Sequence, residues 1–391
     1  MTGPLAGVRV LDLTHFVAGP WCTMLLADLG AEVTKLEPPA GEIGRGMGSV
    51  YSADESAIFL GFNRGKRSIS LDLKQPEGLA AALQLVEQSD VVVQNFRPGT
   101  AERLGLGAAE LRARYPELIY CTVSAFGPDG PYATLPANDP VIQALSGSMA
   151  STGQLEGRPV RMGVSLPDVG AGVLAAVGIL AALLRRAGSG TGSTIDLNLL
   201  DTQLYAQTDH VGNTGSTGVE PGSICGPYVC GDGLSLWLNA DGESWIAAGL
   251  QSEGSSGFEM NRAQVAAILR TRPRAHWLEL IGPGGTGIVP VLGLSDVLPG
   301  APSRTLEVQH PTVGTLRQVR TPVMADPPWP LVDAPPPRLG EHTREVLHEL
   351  GFPDVEIDRL VAQGIVREQG IPPTTSPKPP STKEIHAKEQ S

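Results

Sequence analysis

The sequence predicts an α/β protein built on a covered, mostly parallel sheet, with a smaller α+β domain late in the chain. Three observations carry that prediction. Short apolar runs rich in Val, Ile and Leu alternate with helix-like stretches through the first half, as βαβ units require. The chain has 391 residues and is 41% hydrophobic against 18% charged, enough for a sizeable core spread over two or three domains. After about Ala206 the texture changes, first to Gly, Ser and Thr, then to alternation around Asp-Gly turn signals.

Val8–Thr14 (VRVLDLT) reads as a strand, followed by the loop HFVAGP and a helix over Trp21–Leu29 that Gly30 stops. Ala31–Glu37 is a second strand and Ser68–Leu73 a third. Pro76–Gln88 is a helix with proline in its first turn, where a missing N–H costs nothing. Asp90–Phe96 and Leu118–Ala125 are strands on either side of a helix at Ala108–Arg114. Val169–Leu184 carries no charge and is too short to span a bilayer, so it reads as a buried core helix. Residues 1–206 form the first domain, 207–225 a linker and 226–325 the small α+β domain, with hairpins at Asp232-Gly233 and Asp241-Gly242. A proline-rich connection starts at Asp326, a charged helix spans Glu341–Leu350 before Gly351, and the polar tail 370–391 is expected to be disordered.

The net charge of −12 argues against nucleic acid and anionic membrane surfaces as partners, though not against a small anion held by a local basic cluster. Four cysteines with no C-x-x-C pair make no disulfide framework and fit a reducing, cytoplasmic setting; no signal peptide is read at the start. The seven histidines form no H-E-x-x-H, so no metal site is expected. No G-x-S-x-G elbow supports a hydrolase, GPGGTG (282–287) reads as a plain turn, and Thr14–Pro20 lacks the dinucleotide fingerprint.

Asp168 stands just behind Pro167 at the mouth of the apolar helix. Two readings fit it. As an N-cap it would satisfy free N–H groups and complement the helix dipole, for about 1 kcal/mol. As a nucleophile it would need no base, because the helix end keeps it ionised and Gly170 and Gly172 let a ligand approach the backbone. The basic residues Arg64, Lys66, Arg67 and Lys74, with Arg97 and Arg103, are either solvated surface charge or a grip for a phosphorylated ligand near strand ends.

Six motifs in order then carry a resemblance: PLAGVRVLDLT…AGP, ADLGAEVTKLE, NRGKRSISLDLK, NFRPGTAERLGLG, the segment from Asp168 to GILAALLRR, and PPPRLGEHTREVLHELG. Together they resemble the class III CoA-transferases over about Pro4 to Val366. The resemblance implies a Rossmann-like large domain completed by a return segment at 326–369, and an interlocked ring homodimer. It implies acyl-CoA and a carboxylic acid as substrates, with no tightly bound cofactor. Asp168 matches the family's catalytic aspartate, which forms an acyl-aspartyl anhydride and then an enzyme–CoA thioester. Val17 and Ala18 match the loop at the thioester. Leu71, Asp72, Leu73 and Lys74 match the adenosine segment. Asn95, Phe96 and Arg97 match the NF-x-PG turn, Arg103 a phosphate contact, and Asp139 an acid facing the active site. Val17 stands where the formate–oxalate enzymes carry Gln, and Pro38 where an Arg is expected, which argues against formate and oxalate here. Acyl-CoA racemases of the same superfamily use a His-Asp pair; here the pair is Asn138-Asp139, and Asn exchanges no proton near neutral pH. A non-catalytic acyl-CoA-binding protein on the same scaffold is the other alternative, against which the retained Asp168 argues.

Overall fold

The computed structural model describes residues 3–52, 54–155, 157–211, 224–238, 261–281, 288–300 and 302–369. The expected turns at Asp241-Gly242 and 282–287, and the tail 370–391, lie outside them. The chain forms two compact units, one of residues 1–208 and 306–391, the other of 209–305.

The large unit is organised by a seven-stranded sheet. Its strands are β1 (Arg9–Leu13), β2 (Glu32–Glu37), β3 (Lys66–Leu71), β4 (Val91–Gln94), β5 (Ile119–Ser124), β6 (Thr194–Asn198) and β7 (Val366–Arg367). They lie in the order β6-β5-β4-β1-β2-β3-β7, all parallel except the antiparallel edge strand β7. The order reverses between β1 and β4, which is the doubly wound, Rossmann-like arrangement. Register follows the apolar pattern: Val10 faces Val33 on one side and Val91 on the other.

Helices on both faces explain why the strands are apolar without alternation. They are α1 (Ala18–Asp28), α2 (Pro76–Glu87), α3 (Ala108–Arg114), α4 (Asp139–Leu145), α5 (Leu166–Ser189) and α6 (Thr343–Glu349). Val10, Val33, Val91 and Val93 bury one face under α1 and α5. Leu11, Leu13, Ile69 and Val92 bury the other under α2, α3 and α6. Helix α1 stops where Gly30 takes φ +97° and the N–H groups of Gly30 and Ala31 bond back to Ala27 and Leu26.

Two expectations change. Helix α5 was expected to be a buried core helix, but only one face is buried, through Ala171, Ala175, Ile179 and Ala182; Val173, Val177 and Leu184 are 40%, 54% and 78% exposed. Residues 306–325 were expected in the small domain, yet the chain rejoins the large unit at Leu306, in a hairpin of Thr305–His310 and Gly314–Val319. Its strands are held there by Gln318 Nε2 donating to the Leu60 carbonyl at 2.7 Å and by an Arg64 guanidinium donating to Val319 O at 3.0 Å.

The smaller unit holds a three-stranded antiparallel sheet of Gly226–Val229, Ser235–Leu238 and Ile288–Pro290. The expected turn at Asp232-Gly233 joins the first two strands, with Gly233 at φ +78°. Tyr228, Leu236, Val265, Leu269 and Trp277 form its core.

Candidate active site

Open parallel sheets bind ligands outside the carboxyl ends of their strands, at the point where strand order reverses. A cavity of about 580 Å³ lies there in the large unit, lined from the ends of β1, β2, β3 and β4. Leu71, Asp72, Leu73, Lys74, Phe96 and Arg103, six of the residues singled out in the sequence, line it together. Pro38, where an Arg was expected, lines it too.

Sequence reading missed Thr14, His15 and Glu42, which also line this cavity. Thr14 and His15 directly follow β1, so the switch-point rule applied to the strand order would have found them. Burial, with Lys35 as the nearest cation, pushes the His15 imidazole down to about 4, so it is neutral near pH 7. Asn95 does not line the cavity. Its carboxamide bridges to the His15 backbone, accepting from N–H at 2.9 Å and donating to the carbonyl at 2.8 Å, and so ties the β1 and β4 loops across the switch point. Arg97 is exposed.

The basic residues divide between the two readings made of the sequence, and Arg64 and Lys66 fit neither. Arg64 is buried in a bidentate pair with Asp28, and Lys66 is buried on Asp12 at 2.9 Å. Arg67 pairs with Glu345 and Glu349. Of these basic residues, Lys74 and Arg103 face the cavity.

The loop from β1 leads from the cavity to the second feature. Phe16 sits at φ +71°, a left-handed conformation that costs a bulky residue on the order of 1–3 kcal/mol. Its N–H donates to Glu42 Oε2 at 3.1 Å. Val17 and Ala18, both buried, then begin α1, which packs along α5. A Cβ on Gly172 would lie 2.6 Å from Ala18 O, and one on Gly170 would lie 3.0 Å from Thr202 Cγ2. These glycines were expected to admit a ligand; they admit neighbouring helices instead.

Asp168 is the third residue of α5, behind Ser165, Leu166 and Pro167, and it makes no side-chain cap. The N-cap reading therefore fails. The carboxyl is 4% exposed and its Oδ2 has no hydrogen-bond partner among the described residues. It was also expected to be held ionised by the helix end. Burial, with the Asp139 charge adding to it, instead pushes it up to about 7. Asp139, itself 3% exposed, is raised as well, by burial; Gln143, Arg161 and the Asp168 N–H pull the other way. Asp139 Oδ2 likewise lacks a partner. Asn138 is the exposed N-cap of α4, accepting from Val141 N–H, a structural role.

Comparison with known proteins gives the chain's family. The family model of CoA-transferase family III matches residues 5–343. The chain belongs to CoA-transferase family III. This family III CoA-transferase is 34% identical to the mouse succinyl-CoA:glutarate CoA-transferase, covering 93% of this chain and 91% of that one. It is 32% identical to the formyl-CoA:oxalate CoA-transferase of Streptomyces avermitilis, covering 94% and 100%. Among solved structures, a CaiB/BaiF family protein from Brucella suis superposes with a TM-score of 0.80 at 29% identity, covering 90% and 100%. Its substrates are therefore CoA-linked.

Proposed function

We propose that this family III CoA-transferase moves CoA between carboxylic acids through covalent chemistry at Asp168. The observation that carries the reading is a buried carboxyl with, among the described residues, an unpartnered oxygen and no cation acting on it. An acid kept for structure would be paired, as Asp12 and Asp28 are.

The ionised Asp168 attacks the thioester carbonyl; the C–S bond breaks, and the products are an acyl-aspartyl anhydride and CoA thiolate. The thiolate attacks the aspartyl carbonyl, which expels the donor as its carboxylate and leaves an aspartyl–CoA thioester. The acceptor carboxylate attacks that thioester and releases the thiolate. The thiolate then takes the acceptor's acyl group, and Asp168 is regenerated. Dry apolar walls protect the anhydride from water.

The cavity takes the nucleotide end of CoA, with Leu71–Lys74 and Phe96 around the base and Lys74 and Arg103 toward the phosphates. Val17 and Ala18 lie along the thioester, and Asp139 faces the reacting centre. The 34% identity to a succinyl-CoA:glutarate transferase supports dicarboxylic acids as donor and acceptor. The exposed apolar face of α5 fits a second copy of the chain, giving a homodimer. A cytoplasmic enzyme with no tightly bound cofactor, no membrane attachment and no nucleic-acid partner completes the reading.

Incubation with acetyl-, succinyl-, formyl- and oxalyl-CoA, quenching in hydroxylamine and peptide mass spectrometry test it. A hydroxamate at Asp168 is expected with succinyl-CoA. Acyl transfer by an Asp168→Ala variant at the wild-type rate overturns it.

A further inference from the structure

The Asp139–Asp168 pair is organised by a residue that touches neither the cavity nor any surface. Gln143 is 0% exposed and lies one helical turn beyond Asp139 on α4, hence on the same face. Its Oε1 accepts the Met162 N–H at 2.9 Å. A backbone N–H can only donate, so this contact fixes which end of the carboxamide is oxygen and leaves Nε2 to donate elsewhere. Nε2 meets Asp139 Oδ1 at 2.6 Å. The Gln143 carbonyl is anchored in turn by Ser148 Oγ at 3.1 Å.

An oxygen that receives an N–H bond cannot carry the proton on that lone pair, and the bond favours the ionised carboxyl. We propose that Gln143 is a positioning residue of the reaction: its carboxamide holds Asp139 ionised and oriented beside Asp168, and so sets the proton affinity of the attacking group. The inference rests on the nucleophile reading above.

The groups around the pair support the assignment. The elements packed on α5 bring Asp139 from α4, Asp28 from α1, Cys121 from β5, Asp196 from β6 and Asp201 from the helix Leu199–Tyr205. Asp28 is spent on Arg64, and burial keeps the Cys121 thiol neutral, pushed up to about 12. Of these groups, Asp139 is the one that acts on Asp168, and Arg161 is the cation that acts on Asp139.

Two interacting acids lose their protons in two steps. With Gln143 in place the first proton leaves Asp139, and Asp168 ionises second, against an existing charge. Without the Nε2 donor, neutral Asp139 is favoured. Asp168 then ionises first, and a protonated Asp139 can donate to it. Both effects lower the pH at which the nucleophile is ready.

Single-turnover acylation of Asp168 by succinyl-CoA, or by acetyl-CoA where that is faster, is followed from about pH 5 to pH 9 for wild type, Gln143→Met, Gln143→Leu and Asp139→Asn. The acid limb should move down by on the order of one pH unit in all three variants. Asp139→Asn removes the charge itself and so gives the shift that full loss of the coupling produces; Gln143→Leu removes the same donor if Gln143→Met fails to fold. A purely structural role would lower the amplitude or the melting temperature without moving the limb. Wild-type acylation with an unmoved limb in the variants overturns this inference alone. Absence of wild-type acylation at every pH overturns the nucleophile reading and this inference with it.

Discussion

Asp12 and Asp168 are both buried acids of the large unit, 0% and 4% exposed, yet they are opposites in chemistry. Asp12 lies in β1 inside a basket of Lys66 at 2.9 Å, Lys35 at 3.9 Å and the hydroxyls of Thr14 and Thr23. Burial alone would raise it, but the two ammonium groups and the hydrogen bonds outweigh that and hold it well below the usual carboxylate range. Lys66, moved mainly by its burial, is pushed down to about 8. Asp168 is buried almost as fully with no such basket among the described residues, and the charge that acts on it is another carboxyl. The difference teaches that countercharge separates an acid that holds a fold from one that is free to react.

Breaking the reactive side should have the largest effect. Asp168→Asn keeps the shape and removes the nucleophile, so kcat should fall by roughly 1,000-fold or more in a steady-state transfer assay. Its stability should change the other way. A folded carboxyl raised from 3.8 to about 7 contributes stability that is present in acid and lost as pH rises from about 4 through about 7. Relative to wild type, Asp168→Asn should therefore gain on the order of a few kcal/mol between acid and pH 8 in urea melts. Breaking the structural side comes next. Asp12→Asn strands two buried ammonium groups and should cost about 3–5 kcal/mol in the same melts. The wild-type contribution of Asp12 is present above its unfolded value, near 3.8, and is lost as pH falls through its lower folded value.

Gly172→Ala separates packing from chemistry. The added Cβ meets the α1 backbone at Ala18 and should cost about 1–3 kcal/mol by thermal denaturation. Arg103→Ala is the mildest change. The side chain is exposed at the cavity, so the KM for acyl-CoA should rise about 3–10-fold with kcat retained.

Much of this arrangement was legible in the sequence. Strand and helix types came from apolar runs and their punctuation, as at Pro76, Gly30 and Gly351, because those residues act locally. The cavity segments Leu71–Lys74, Phe96 and Arg103 were legible because the resemblance matches them, position by position, to a family's CoA segments. Asp168 was legible as a position, but its protonation was not. That depends on Asp139, brought close by the tertiary fold, and on cations that are elsewhere. Arg64 and Lys66 looked like a ligand grip because nothing local shows that Asp28 and Asp12 await them in the interior. Gly170 and Gly172 announced close approach without saying that the visitor is a helix.

The most direct test is chemical. Enzyme mixed with succinyl-CoA is treated with borohydride, which reduces an aspartyl thioester to the alcohol, and digested for mass spectrometry. Homoserine at position 168, absent when CoA thioester is omitted, is the predicted result. An unreduced Asp168 in enzyme that is turning over, or homoserine at another aspartate, would contradict it.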